Sequence, residues 1–295
     1  MRVPADGAAA EGAGVRLRSL LFVPGDRPER MEKALGSGAD ALILDLEDSV
    51  VPARKQQARR EVAAFLARSA GGVPRFVRIN ALGSGLAEAD LAMVMAAGPD
   101  GLVLPKSQGA ESVRELDRML APFGADLPIL PIATETPQAL LGLGGYGAVA
   151  RRLAGLTWGV EDLSAAVGAS SARESDVNFT EPYRWVRSLT LFAAAAAEVA
   201  PIETVFPAFQ NLSGLGEYAR RGMRDGFAGM LAIHPGQVPV INEAFTPSAQ
   251  SLEHARAIVA LFQTNPGAGV LSLNGAMVDA PHLKQALRLL SRAQG

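Results

Sequence analysis

The 295-residue chain has no cysteine and only three histidines. The first absence excludes disulfides, thiolate nucleophiles and cysteine zinc sites, and a reducing cytoplasm suits it. The second leaves no histidine-rich metal site. Basic excess is lacking too: the formal net charge is −2, which argues against a nucleic-acid partner. No apolar run approaches the roughly 20 residues of a membrane span. Residues 1–14, rich in Ala and Gly, lack the apolar core of a signal peptide and read as a disordered leader. What remains is ordinary soluble composition, 48% hydrophobic and 20% charged, long enough for one large domain or two small ones.

The most informative stretch is GADALILDLEDSV, residues 38–50. An apolar run, Ala41-Leu42-Ile43-Leu44, ends in the carboxylates Asp45, Glu47 and Asp48. Such a run between turn signals reads as a strand buried on both faces. Charges at its C-terminal end need partners, and they fit the rim of a parallel sheet or barrel, where such folds place their active sites.

Short apolar runs of this kind recur at Ser19–Val23, Ala41–Asp45, Phe76–Asn80, Gly101–Leu104, Ile129–Ala133, Gly155–Trp158, Thr204–Phe206 and Gly229–Ile233. Helix-compatible stretches lie between most of them. Eight β/α repeats in about 220 residues predict a (β/α)8 barrel over 15–245. A doubly wound open sheet is the alternative, and no GxGxxG follows the first strand to support it. Residues 246–295 predict a helical extension, with helices at Gln250–Gln263 and from Pro281 to Ala293 around a Gly-rich turn. It is too apolar for a linker and is expected to pack on the barrel or on a neighbouring subunit.

In a barrel the C-terminal strand ends face one mouth. Here they carry Asp26 and Arg27, then Asp45, Glu47 and Asp48, then Arg78 and Asn80, Lys106, Glu135, Glu161 and Asp162, and His234. Glu135 and Asp162 follow adjacent strands, a normal way to hold Mg²⁺ with water and substrate oxygens completing the shell. Alternatively, each starts or caps a helix. Arg78 either grips a substrate carboxylate in a bidentate fork or pairs with Glu47 or Asp48. Lys106 is open in the same way. Lys55 and Arg59, one helical turn apart, read as a solvated face or as contacts to a phosphate-bearing ligand. His234 orders the eighth loop, Trp158 and Phe206 are barrel packing, and the alanines of 193–197 are core helix.

Together these residues resemble the citrate lyase β-subunit-like family, a branch of the HpcH/HpaI aldolase superfamily. The matching blocks are RSLLFVPGDRPERMEKA (18–34), GADALILDLEDSVVPARKQQAR (38–59), VRIN (77–80), GLVLPK (101–106), ATETPQAL (133–140), WGVEDLSAAVG (158–168), DGFAGMLAIHPGQVPVINEAFTPS (225–248) and GAMVDAPH (275–282). The resemblance implies a (β/α)8 barrel, homotrimeric or hexameric, that uses Mg²⁺ to cleave citryl, malyl or citramalyl thioesters on CoA or an acyl carrier. It implies Glu135 and Asp162 as Mg²⁺ ligands and Arg78 as the clamp on the oxo-acid carboxylate. Glu135 and Asp48 would also face the substrate, and Glu47 and Asp48 would belong to the acidic surroundings of the metal. Contacts to CoA would come from Phe22, Arg27, Lys55, Ile233 and Pro235. Asp279 matches an aspartate that members insert into a neighbour's site, where it transfers the proton. The chain departs from the family at Met230, usually Lys, and at Glu203, usually Asp; both put the choice of carrier in doubt more than the reaction class.

The leading reading is therefore a Mg²⁺-dependent acyl-CoA carbon–carbon lyase, with citramalyl-CoA favoured over malyl-CoA and citryl thioesters. A second is an aldolase of the same superfamily acting on free hydroxy-oxo acids. A third is a catalytically silent, citrate-lyase-like binding subunit.

Overall fold

The structure, a computed structural model, describes residues 16–68 and 72–294. The leader expected over 1–14 lies outside them. In chain order the elements begin β1 (Ser19–Pro24), α1 (Pro28–Ala34), β2 (Ala41–Asp45), α2 (Lys55–Arg68), β3 (Arg75–Arg78), α3 (Ala87–Val94), β4 (Gly101–Leu104) and α4 (Ala110–Leu120). They continue with β5 (Ile129–Pro131), α5 (Pro137–Gly142), β6 (Leu156–Thr157), α6 (Glu161–Ala166), β7 (Arg173–Ser175), β8 (Asn178–Phe179) and α7 (Glu181–Ala196). Then come β9 (Pro201–Glu203), α8 (Leu212–Asp225), β10 (Gly229–Ala232), α9 (Val238–Ala244), α10 (Ala249–Thr264), β11 (Val270–Leu273), β12 (Ala276–Asp279) and α11 (Ala280–Gln294). Among the described residues no helix is long and apolar enough to cross a membrane.

The chain divides into two compact units, Leu17–Phe245 and a second that takes Thr246 onward. In the first, eight parallel strands run in the order β5-β4-β3-β2-β1-β10-β9-β6. Two isolated parallel bridges, Ile129 with Leu153 and Ile132 with Thr157, bring its two edges together. This is the expected (β/α)8 barrel, nearly closed. Alternation along the strands splits the core in two. Leu20, Ile43, Phe76, Val103, Leu130, Ile202 and Leu231 fill the interior. Leu42, Leu44, Val77 and Leu102 face outward under Met31, Val62, Phe65, Leu91 and Val113 of the helices.

Seven barrel strands lie where the apolar runs placed them, give or take their ends. The seventh does not. It was expected at Thr204–Phe206 and lies at Pro201–Glu203. Glu203, which ends this strand, is a charged side chain that is fully buried because Arg187 of α7 meets it at 2.6 Å. The short β7–β8 hairpin was not anticipated.

The second unit has its own small core of Ala255, Ile258, Val278 and Ala286. Two helices were expected there; an antiparallel β11–β12 hairpin stands between them as well. Asn274 (φ 52°) and Gly275 (φ 80°) form its two-residue turn. An Asn-Gly pair tolerates the left-handed conformations that such a turn demands. The pair is a local signal for this hairpin.

Candidate active site

The mouth is built on Asp45, the last residue of β2. Register sets it opposite Arg78 of β3. Its carboxylate receives Arg78 Nε at 2.6 Å and Nη2 at 2.7 Å. It also accepts the backbone N–H of Glu47 at 2.8 Å and of Ser49 at 3.1 Å, which shapes the turn after β2. Burial would raise its pKa, but the charge and hydrogen bonds of Arg78 outweigh it and hold the group below the usual carboxylate range. The guanidinium also lies over the Phe22 ring, 4.8 Å from its centroid.

Glu47 lies on the other side of the guanidinium. Its Oε2 is 3.1 Å from Arg78 Nη1 but is buried without hydrogen-bond geometry, and its Oε1 meets Lys106 Nζ at 2.6 Å. Burial raises its pKa despite both cations. Lys106 is the hub. Its φ of 51° is left-handed, unusual for a side chain of this size. That conformation aims its backbone N–H at Glu135 Oε2, 2.5 Å away. Its Nζ also stands 3.5 Å from Asp162 and 3.7 Å from Asp48. Burial disfavours the ammonium, but the hydrogen bond and charge of Glu47 prevail and raise its pKa.

Glu135 is buried after β5, and burial pushes it up to about 8; the Lys106 N–H opposes the rise and the charges of Glu47 and Asp162 add to it. Helix capping accounts for neither Glu135 nor Asp162. Thr136 caps α5, accepting from Ala139 N–H at 3.2 Å, and Asp162 lies inside the first turn of α6 without a cap bond. Both carboxylates line one cavity of about 420 Å³, together with Phe22, Asp48, Arg78, Trp158 and Ile233. A second cavity of about 370 Å³ shares Phe22, Pro24 and Ile233 with it and adds Arg30, Lys33, His234 and Pro235.

This donor set suits a hard divalent cation. Glu47, Asp48 and Asp162 each lie within 4 Å of Lys106 Nζ, and Glu135 accepts the Lys106 backbone N–H. Among the described residues no three His, Cys, Asp or Glu side chains converge as a ready metal cluster. Mg²⁺ asks for less, since it keeps several waters and takes only one or two carboxylates.

Other expected residues fall elsewhere. Lys55 is half-buried and lines neither cavity: its Nζ donates to the main-chain oxygens of Leu46 at 2.7 Å and Glu47 at 2.6 Å. Arg59 is not solvated either, meeting buried Asp90 at 2.6 Å. Each finds its partner on a neighbouring element, which helical spacing does not reveal. Arg27 is half exposed, 3.7 Å from Asp26, and is not among the residues lining either cavity. His234 accepts from Gly236 N–H at 3.1 Å and stacks on Phe209, so it does order the eighth loop. Of the alanines at 193–197, only Ala194 and Ala197 are buried. Trp158 is core packing and cavity wall at once. Asp279 closes β12 in the second unit, its Oδ1 2.5 Å from His282 Nδ1; that bond first, then the backbone N–H of His282, lowers its pKa. Lys106 was left open and Asp45 was placed at the mouth without a role, because only the folded chain shows what they touch.

A parallel barrel whose strand ends gather carboxylates and a rigid arginine around one cavity is the build of a barrel enzyme. The chain belongs to the HpcH/HpaI aldolase/citrate lyase family, a family of carbon–carbon lyases, which matches it over residues 18–235. It is 36% identical to the citrate lyase subunit beta-like protein of Mycobacterium tuberculosis, over 92% of this chain and 94% of that one. It is 30% identical to the mitochondrial citramalyl-CoA lyase of Homo sapiens, over 94% of this chain and 85% of that one. Among solved structures, protein CitE from Mycobacterium tuberculosis in complex with magnesium, acetoacetate and coenzyme A superposes with a TM-score of 0.77 at 35% identity, covering 94% and 98% of the two chains.

Proposed function

We propose that this chain is a Mg²⁺-dependent lyase that cleaves a 3-hydroxy-3-carboxy acyl-CoA thioester into an oxo acid and acetyl-CoA. Citramalyl-CoA, giving pyruvate, is the favoured substrate, ahead of malyl-CoA and citryl-CoA. The observation that carries this reading is the single cavity lined by Glu135, Asp162 and Arg78. The magnesium, acetoacetate and coenzyme A held by the Mycobacterium tuberculosis protein support it.

Glu135 and Asp162 are the residues to hold the cation. When bound, Mg²⁺ supplies polarisation of the hydroxyl and carboxylate of the oxo-acid half. Arg78, locked by Asp45 and seated on Phe22, presents a fixed positive charge to the substrate carboxylate. The second cavity, with Arg30 and Lys33 on its wall, is the side for the CoA portion. Cleavage needs a base to take the hydroxyl proton; the electrons of the breaking C–C bond pass into the thioester enolate, which is then protonated at carbon. Asp279, held by His282 and delivered by a neighbouring copy in a homotrimer or hexamer, is the proton-transfer group.

The test is a panel of citramalyl-, malyl- and citryl-CoA, assayed for acetyl-CoA release with and without Mg²⁺. Glu135→Gln should lose roughly 10³-fold or more in rate. Metal-independent turnover, or wild-type rates from Glu135→Gln, would sink the reading. Turnover of free hydroxy-oxo acids but of no thioester would favour the free-acid aldolase instead.

A further inference from the structure

The barrel is weakest between the two strands that lead into Glu135 and Asp162. No ladder joins β5 to β6; the two isolated bridges close the sheet there. β6 is two residues long and is laddered only to β9, through Leu156–Pro201 and Thr157–Ile202. Glu135 follows β5 and Asp162 follows β6, so the spacing of the two carboxylates is set across this seam.

Glu203 ends β9 beside that seam and is fully buried. Its Oε1 accepts the Trp158 indole N–H at 2.6 Å and the backbone N–H of Thr204 at 3.1 Å. Its Oε2 accepts Arg187 Nε at 2.6 Å, and Arg187 Nη1 reaches on to Asp225 at 2.8 Å. Trp158 is the residue after β6, and its ring is braced edge-on by Phe179 at 5.1 Å. Gly159 comes next and lies against the metal-side carboxylate: a Cβ there would stand 2.7 Å from Glu135 Cγ. Thr134 ties the same point, since its hydroxyl bridges the N–H and C=O of Gly159 at 3.1 and 3.0 Å. A continuous line of contacts thus runs from Glu203 through Trp158 and Gly159 to Glu135, with Asp162 three residues further along the chain.

We propose that Glu203 is a positioning residue of the cation site: anchored by Arg187, it fixes Trp158 and the end of β6, and so sets the spacing of Glu135 and Asp162 that cation affinity requires. This rests on the reading of those two residues as the cation's ligands. An ionised acceptor makes shorter and stronger hydrogen bonds than a neutral one, which suits a clamp on a two-residue strand. Residues that orient metal ligands without touching the metal commonly govern affinity this way.

Two variants test it in the intact protein. Glu203→Gln keeps the shape and removes the charge; Trp158→Phe keeps a ring and removes the donor. Affinity is read directly, by Mn²⁺ electron paramagnetic resonance and Mg²⁺ calorimetry, without an activity assay. Each variant should bind about 10-fold more weakly or worse. The double variant should be little weaker than either single one, because both cut the same link. Asp40→Asn breaks an ion pair with Arg18 at the opposite ends of the strands, and should lower Tm while leaving affinity unchanged. Glu135→Gln separates the two layers of the argument. If it loses Mn²⁺ while Glu203→Gln and Trp158→Phe keep wild-type affinity, Glu203 is only a stabilising residue and this inference fails. If Glu135→Gln itself binds Mn²⁺ normally, the reading of the site falls and the inference falls with it.

Discussion

At the scale of single residues, the mouth depends on pairs that no sequence window contains. Asp45 and Arg78 lie 33 positions apart, yet register makes them direct neighbours with two hydrogen bonds between them. Removing Asp45 takes both fork hydrogen bonds from a buried arginine and leaves it Glu47 at 3.1 Å, so Asp45→Asn should cost about 3 kcal/mol at neutral pH, the low end for a broken buried pair. The pH dependence follows from the depressed pKa of Asp45. Between the folded value and the unfolded value near 3.8 the unfolded chain holds more protons, so stability falls as pH falls through that window. The contribution of the pair is complete above the unfolded value and lost below the folded one. Urea unfolding of wild type and Asp45→Asn should therefore show a gap that is wide at pH 6 and shrinks below pH 3.8. A gap independent of pH would mean that the charge of Asp45 is not what holds Arg78.

At the scale of elements, strands were legible as apolar runs and helices as spaced ones, because burial on two faces or on one stripe leaves those periods in the sequence. Errors arose where a tertiary contact replaced the local signal. Glu203 hid the end of β9 because its partner sits on α7. Lys55 was expected on a solvated face or against a phosphate-bearing ligand, because helical spacing does not show that its ammonium turns back to the loop after β2. It donates to the two carbonyls that follow Asp45, linking the start of α2 to the loop that carries Glu47 and Asp48. Hydrogen bonds from a charged donor are the stronger kind, so Lys55→Met should lower stability by about 1–3 kcal/mol. It should also slow turnover of the CoA thioester, since Glu47 and Asp48 lose their support. A thermal melt with a parallel kinetic assay decides: an unchanged Tm and kcat would return Lys55 to the surface.

At the scale of the whole molecule, the proposed proton-transfer role of Asp279 can be tested through assembly. Asp279 stands in the second unit, beside exposed Val270 and Met277 of the β11–β12 hairpin. The proposed role of Asp279 in a neighbouring copy's site would require a closed oligomer. Complementation is the measurement. Asp279→Ala and Glu135→Ala chains should each be inactive, and mixing them with subunit exchange should restore part of the activity. In mixed oligomers some sites receive an intact Glu135 from one chain and an intact Asp279 from another. No recovery despite proven exchange, or a fully active monomer by light scattering, would place Asp279 in its own chain's site or outside catalysis.

Periodicity and punctuation were enough to specify an eight-stranded parallel barrel and to put Glu47, Arg78, Glu135 and Asp162 at its strand ends, because strand alternation and the side on which a barrel opens follow from local pattern. Only the folded chain decided what those residues touch. Strand register paired Asp45 with Arg78, a left-handed Lys106 joined Glu47 to Glu135, and Glu203 met Trp158 beside the seam. These are contacts between residues far apart in sequence, set by which strands lie side by side and by what must be neutralised inside a barrel. Neither leaves a local trace in the order of the amino acids.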